Sequence, residues 1–214
     1  VIGAPPPRGK FITLEGGEGV GKSTQIRLLG EALRARGLDV VETREPGGTE
    51  GAEAIRALLL GGAADRWNPQ AEALLFAAAR ADHVARVIRP ALDRGAWVLC
   101  DRFIDSNRAY QAGASGLADD DIMAAHRIGS GGLMPDRTLL LTLPLDVAAE
   151  RAMQRDAGRA DRFGARGRAF HEAVNAAFMA QAAQEPARIR IIDATDGAAI
   201  VSARIQTEIE DLLP

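Results

Sequence analysis

Short apolar runs and longer stretches of helical period alternate along almost the whole chain. Residues 11–14 form an apolar run that ends on glycines, and residues 23–36 follow with Ile26, Leu28, Leu29 and Leu33 at helical spacing, which puts those side chains on one face of a helix. Further strands are expected at residues 40–41, 97–100, 138–143 and 189–192. Helices are expected at about 50–60, from 69 to a stop near Pro90, at 106–111, at 119–128, from 146, at 169–184 and at 198–212, with prolines and glycines marking their limits. Short apolar strands alternating with helices predict an α/β fold. A central parallel sheet is flanked by helices in three layers, and ligands sit beyond the carboxyl ends of the strands.

The interruption in this pattern is an arginine-rich, glycine-broken stretch from Arg155 to Arg168. It buries itself poorly and is expected to act as a moving lid over about 153–167. The 214 residues, 47% hydrophobic, suffice for one core, so residues 10–214 are read as a single domain. Residues 1–9, which contain Pro5, Pro6 and Pro7 and begin on valine in place of an initiator, read as a disordered leader. They lack the charged and apolar regions of a signal peptide, and no apolar stretch approaches the roughly 20 residues of a membrane helix. A cytoplasmic protein without membrane contact is expected. A net charge of −3 gives no overall positive field for a nucleic-acid polymer, so a small charged metabolite is the expected partner. The single cysteine, Cys100, lies in an apolar run and reads as a small buried hydrophobe in a reducing compartment.

The strongest chemical signal is Gly16-Gly17-Glu18-Gly19-Val20-Gly21-Lys22-Ser23, a complete G-x-x-x-x-G-K-[ST] string between an expected strand and an expected helix. Glycines let successive backbone N–H groups turn in on phosphate oxygens, and the helix N-terminus adds its positive dipole end. Lys22 is suited to the β- and γ-phosphates and Ser23 to Mg²⁺. Basic charge here is almost all arginine, Lys10 and Lys22 being the lysines, which makes this placement conspicuous. The string announces ATP or a related triphosphate and phosphoryl chemistry, without naming the acceptor. A guanine switch would be expected to carry N-K-x-D, and neither lysine follows an asparagine.

The acceptor side is carried by three further groups of residues: Thr43-Arg44-Glu45-Pro46-Gly47-Gly48-Thr49 with Ile55-Arg56; Leu75-Phe76 with Arg80 and Asp82-His83; and Asp101-Arg102-Phe103 leading to Ser106-Asn107 and Tyr110-Gln111. From about Lys10 to near the C-terminus the chain resembles the thymidylate kinase family, in the order and near the spacing of its motifs. Phe76 and Arg80, four residues apart, project from one helix face. The resemblance implies that Phe76 stacks on thymine and Arg80 donates to its carbonyl edge. It implies that Arg102 grips the acceptor phosphate with help from Arg56, and that Asp101 lies near the metal and the transferring group. By the same resemblance Ser106, Asn107, Tyr110 and Gln111 surround base and sugar, with Tyr110 crowding the 2′ position, while Glu18 and Glu45 face the sugar and acceptor side. A homodimer is also implied.

The reaction implied is transfer of the γ-phosphoryl group of Mg·ATP to dTMP, giving dTDP and ADP; a kinase for another nucleotide or nucleoside and a P-loop NTPase switch are the alternatives. Phosphoryl transfer needs cations around the migrating group beyond Lys22 and Mg²⁺. The phosphate loop has Gly19 where one branch of the family carries an arginine, so the lid is expected to supply them, as in the bacterial branch. Arg151, Arg155 and Arg159, at four-residue spacing, would form one cationic edge if the helix continued, and Arg162 is a fourth candidate. Gly164 after Asp161-Arg162-Phe163, and Thr142 after Leu141, depart from the family pattern.

Overall fold

The computed structural model describes residues 8–63, 65–155 and 161–214, the side chain of Arg155 excepted. Five parallel strands, β1 (Phe11–Glu15), β2 (Val40–Arg44), β3 (Trp97–Asp101), β4 (Arg137–Thr142) and β5 (Ile189–Asp193), form one sheet in the order β2-β3-β1-β4-β5. The helices are α1 (Lys22–Ala35), α2 (Glu50–Leu60), α3 (Pro69–His83), α4 (Arg89–Asp93), α5 (Ile104–Asn107), α6 (Asp119–Ser130), α7 (Leu145–Arg155), α8 (Arg168–Gln184) and α9 (Ala198–Thr207). Alternate side chains of the strands serve two cores, as a parallel sheet covered on both faces requires. On one face Ile12, Leu14, Leu99, Leu139 and Leu141 pack with α1 and α9 through Ile26, Leu29, Val201 and Ile205. On the other, Phe11, Val98, Cys100 and Leu140 meet residues from α4, α5, α6 and α8. Cys100 is a fully buried thiol, as its apolar setting suggests.

The expected elements are present, with shifted limits. Pro90 does not end the third helix. The backbone stays helical through a π turn at Val84–Ile88, and Pro90 follows directly at the second residue of α4, where the widened turn has already interrupted the regular i→i−4 ladder. The stretch expected at 106–111 divides into α5 and a second π turn, Arg108–Ala114, and the last helix ends at Thr207 before a short 3₁₀ turn, Glu210–Leu212. Of the expected leader, residues 1–7 lie outside the described residues, but Gly9 is fastened by its N–H to the Leu92 carbonyl at 2.9 Å and Arg8 pairs with Asp136 at 3.5 Å. The core of the expected lid, residues 156–160 with Arg159, also lies outside them.

The sheet order places β1 and β3 side by side, in register from Phe11↔Val98 to Leu14↔Asp101. The chain leaves β1 toward one edge and, after β3, crosses to the other. The carboxyl ends of these two strands are thus the topological switch point at which an open parallel sheet binds its ligands.

Candidate active site

The loops leaving β1 and β3, with α3 and α7, enclose a cavity of about 510 Å³. The loop after β1 is shaped by close approach. Gly19 sits at φ +73°, and a Cβ there would lie 2.1 Å from the Ala148 carbonyl oxygen, so only glycine allows α7 to rest on the loop. Val20 is buried in the core and anchors the loop's middle, and Gly21, at φ 96°, caps α1. Lys22 Nζ folds back to donate to the carbonyls of Gly16 at 3.2 Å and Gly17 at 2.7 Å; its pKa is lowered by burial and then by the neighbouring Arg102. Glu18, Gly19, Gly21, Lys22 and Ser23 line the cavity, Gly17 and Val20 line a neighbouring one, and the Gly16 carbonyl accepts from Lys22 and Arg102. Ser23 Oγ donates to Asp101 Oδ2 at 3.0 Å. A hydroxyl and a carboxylate side by side are hard oxygen donors that fit Mg²⁺, which takes few protein ligands and completes its shell with phosphate and water.

Arg102 leaves the end of β3 at φ 67°, a conformation uncommon outside glycine. Two backbone bonds hold it: Arg102 N–H donates to the Leu14 carbonyl at 3.0 Å, and Phe103 N–H to Glu15 Oε1 at 2.7 Å. The guanidinium donates to Gly16 O at 2.9 Å, Ser106 Oγ at 3.1 Å and Glu18 Oε1 at 2.7 Å, and lies 5.2 Å from the Tyr110 ring centre. Arg56, half-buried, donates to Pro46 O at 2.7 Å, and Arg44 holds both oxygens of Glu53 at 2.9 Å. Arg44, Arg56 and Arg102 all line the cavity, with Arg80 and Arg151 also in its wall, so an anion entering it meets several guanidinium groups. Arg44 was named on sequence only as part of a motif.

Glu15 was missed. Fully buried, it accepts from Phe103 N–H and, at 2.5 Å, from Ser106 Oγ, fixing the turn that carries Arg102 and Ser106. The available signal was a lone carboxylate closing an apolar strand just before the phosphate loop. Burial, and then the charge of Asp105, push its pKa up to about 8. An acid with a raised folded-state pKa holds its proton more tightly folded than unfolded, so its contribution to stability is complete at low pH. That contribution is lost as pH rises from about 4.5 toward 8. Glu15→Gln keeps an acceptor for Phe103 N–H without the charge. Its melting temperature relative to wild type is therefore expected to climb across that window and level off above it, measured by thermal unfolding from pH 5 to 9. A difference that is flat with pH would refute the assignment.

Phe76 and Arg80 share a face of α3 and line the cavity. Arg80 Nε donates to Glu45 Oε2 at 2.7 Å, Nη2 donates to Asn107 Oδ1, and the guanidinium lies 4.9 Å from the Phe103 ring centre. Glu45 Oε1 meets His83 Nδ1 at 3.0 Å, and His83 Nε2 meets Thr43 Oγ1 at 2.7 Å. Phe76 stands 5.8 Å from Phe163, which stands 6.0 Å from Tyr110. Among the described residues the buried Tyr110 hydroxyl has no hydrogen-bond partner of good geometry, and burial raises its pKa to about 12. Ser106, Asn107 and Gln111 complete the same wall.

Of the lid arginines, Arg151 is exposed on α7 and lines the cavity. The side chain of Arg155 and all of Arg159 lie outside the described residues. Arg162 corrects the expectation: it is buried, donating to the Leu59 carbonyl at 2.9 Å and paired with Glu72, because a buried carboxylate on α3 offers it a desolvated partner. The neighbouring Asp161 and Phe163, unremarked as site residues on sequence, line the cavity instead.

The thymidylate kinase family model matches residues 14–205. Thymidylate kinase of Rhizorhabdus wittichii is 64% identical over 206 residues, spanning 96% of this chain and 99% of that protein. That of Caulobacter vibrioides is 55% identical over 201 residues, 92% of this chain and 94% of the relative. The crystal structure of thymidylate kinase from Ehrlichia chaffeensis superposes with a TM-score of 0.77 at 30% identity, covering 95% of this chain and all of that one. With the P-loop, the parallel sheet and these likenesses together, the chain belongs to the thymidylate kinase family.

Proposed function

We infer that the chain transfers the γ-phosphoryl group of ATP to dTMP, yielding dTDP and ADP. The observation that carries this reading is the union, in one cavity, of a phosphate loop with a second cationic grip, Arg44, Arg56 and Arg102, beside an aromatic plate and donors of nucleobase size. A nucleotide switch has no use for that second grip. The donor's phosphates lie against the loop's N–H groups with Lys22 at the β- and γ-oxygens, and Arg102 and Arg56 hold the acceptor phosphate, already ionised, so no base is required. Ser23 and Asp101 would hold Mg²⁺, which would supply charge neutralisation at the phosphates. Arg151, and Arg155 as the sequence suggests, add positive charge from the lid.

Phe76 stacks on the base, Arg80 donates to its carbonyl edge, and Tyr110 excludes a 2′-hydroxyl. The pocket therefore favours a deoxyribonucleotide whose base carries an acceptor at that edge. In a coupled ADP-release assay over a panel of nucleoside monophosphates, dTMP is expected to be turned over selectively. Arg80→Ala is expected to lower kcat/KM for dTMP at least about tenfold. Equal turnover of another monophosphate, or ATP hydrolysis indifferent to the acceptor, would overturn the reading.

The same reading extends to a cytoplasmic homodimer. Leu74 on α3 and Ile128 on α6 are 63% and 88% exposed on helices that pack together, an apolar face suited to a second copy. Light scattering should return twice the chain mass and Ile128→Glu should lower it; a wild-type monomer would refute the dimer. For the cytoplasm, the support is the single cysteine, Cys100, a free thiol that suits a reducing compartment.

A further inference from the structure

Behind the wall of the cavity runs a relay of four buried side chains. Arg80 Nη2 donates to Asn107 Oδ1, Asn107 Nδ2 donates to Gln111 Oε1 at 2.8 Å, and Gln111 Nε2 donates to Glu72 Oε1 at 2.8 Å. The other oxygen of Glu72 accepts from Arg162, and a nitrogen of Arg166 lies 3.8 Å away. Glu72, Arg80, Asn107 and Gln111 are each no more than 4% exposed, so a lost partner leaves a polar group largely shielded from water.

The two ends of the relay are chemically unambiguous. An arginine only donates and a carboxylate only accepts, whereas the amides between them could each be turned either way. Turning Gln111 over would set its oxygen against a carboxylate oxygen; turning Asn107 over would set its NH₂ against the guanidinium. With Glu72 in place, one orientation satisfies every group, and each reversal leaves buried polar atoms unpaired. Arg80 and Asn107 both line the cavity, so in this orientation the pair can offer it a guanidinium donor beside the remaining lone pair of the Asn107 oxygen. Thymine offers the complement, an O4 acceptor beside an N3–H donor. Cytosine offers the opposite, an amino donor beside a bare N3 acceptor.

We propose that Glu72 is a positioning residue for acceptor specificity. It touches no substrate, but as the acceptor-only end of the relay it holds Asn107 with its oxygen toward Arg80, and so selects thymine over cytosine. The proposal rests on the reading of Arg80 and Asn107 as the base-reading pair.

The test is the ratio of kcat/KM for dTMP to that for dCMP. Glu72→Gln combined with Arg162→Gln removes the buried ion pair together and replaces the acceptor-only end with an amide that can turn either way; Arg166, the other cation near Glu72, is 27% exposed and stays within reach of water. Glu72→Met combined with Arg162→Met removes the relay's acceptor end without altering a residue that lines the cavity, and serves if the first double variant fails to fold. Either change is expected to lower the ratio at least about tenfold, the scale of one buried polar group losing its partner, with the KM for ATP unchanged. Loss of packing alone would lower activity toward both acceptors together and leave the ratio in place. If Arg80→Ala lowers the ratio and neither relay change does, Glu72 has no part in specificity and the proposal is overturned. If Arg80→Ala also leaves the ratio unchanged, the base-reading assignment itself falls, and the proposal with it.

Discussion

Arg102→Met is expected to reduce kcat/KM for dTMP by about a thousandfold, the scale of removing a desolvated charge that contacts the reacting phosphate. The guanidinium is fixed before any ligand arrives, with Gly16 O, Ser106 Oγ and Glu18 as partners. Little side-chain freedom therefore remains to be lost when the acceptor phosphate binds. The backbone supports it too, since a non-glycine residue at φ 67° persists only where its surroundings over-determine it. Here Leu14 O and Glu15 hold successive N–H groups. Arg102→Lys should recover little of the loss, because one ammonium cannot serve Gly16, Glu18 and a phosphate through a planar fork. The measurement is steady-state kinetics with each substrate varied in turn. Both kcat and the KM for dTMP should suffer while the KM for ATP moves far less. A loss below about tenfold would remove Arg102 from the acceptor phosphate.

What the sequence made legible, and what it did not, follows from the kind of information each feature carries. The five strands were readable because each is a short apolar run beside a helical stretch, and β1 and β3 could be recognised as ligand-bearing from the glycines and the Asp101-Arg102 pair that end them. Period reports which positions are buried, but not which partner a buried charge finds. Arg162, in a run of arginines, looked like a phosphate cation; a buried carboxylate 90 residues earlier, Glu72 on α3, captures it. Glu15 was invisible for the same reason, since its two partners lie 88 and 91 residues further along. Pro90 misled because a proline's effect depends on its position in the helix: after a widened turn it begins a segment rather than ending one. Phe163 reaches the cavity through ring contacts with Phe76 and Tyr110, a tertiary fact with no local signature.

Lys22→Met should abolish nearly all turnover, by about a thousandfold or more, while the protein still folds and still binds ADP. The lysine's stem is buried and its ammonium sits on the Gly16 and Gly17 carbonyls, contacts that keep the charge at the loop until a triphosphate replaces them. Methionine preserves most of that stem, so melting temperature should change modestly. The loop's N–H groups and the start of α1 continue to hold a diphosphate. Lost is the cation at the β- and γ-oxygens, where negative charge shifts as the phosphoryl group moves, an interaction stronger in the transition state than in the ground state. The defect should therefore fall on kcat more than on the KM for ATP. Burial, with Arg102 beside it, lowers the lysine's pKa below that of a free amine, so wild-type activity should fade on the alkaline side earlier than an exposed lysine would allow. That limb should be missing from whatever residual rate the methionine variant retains. Single-turnover kinetics with ADP titration separate the two roles. Weak ADP binding with a near-normal chemical step would make Lys22 a binding residue only, whereas intact binding with a lost chemical step places its charge on the transferring group.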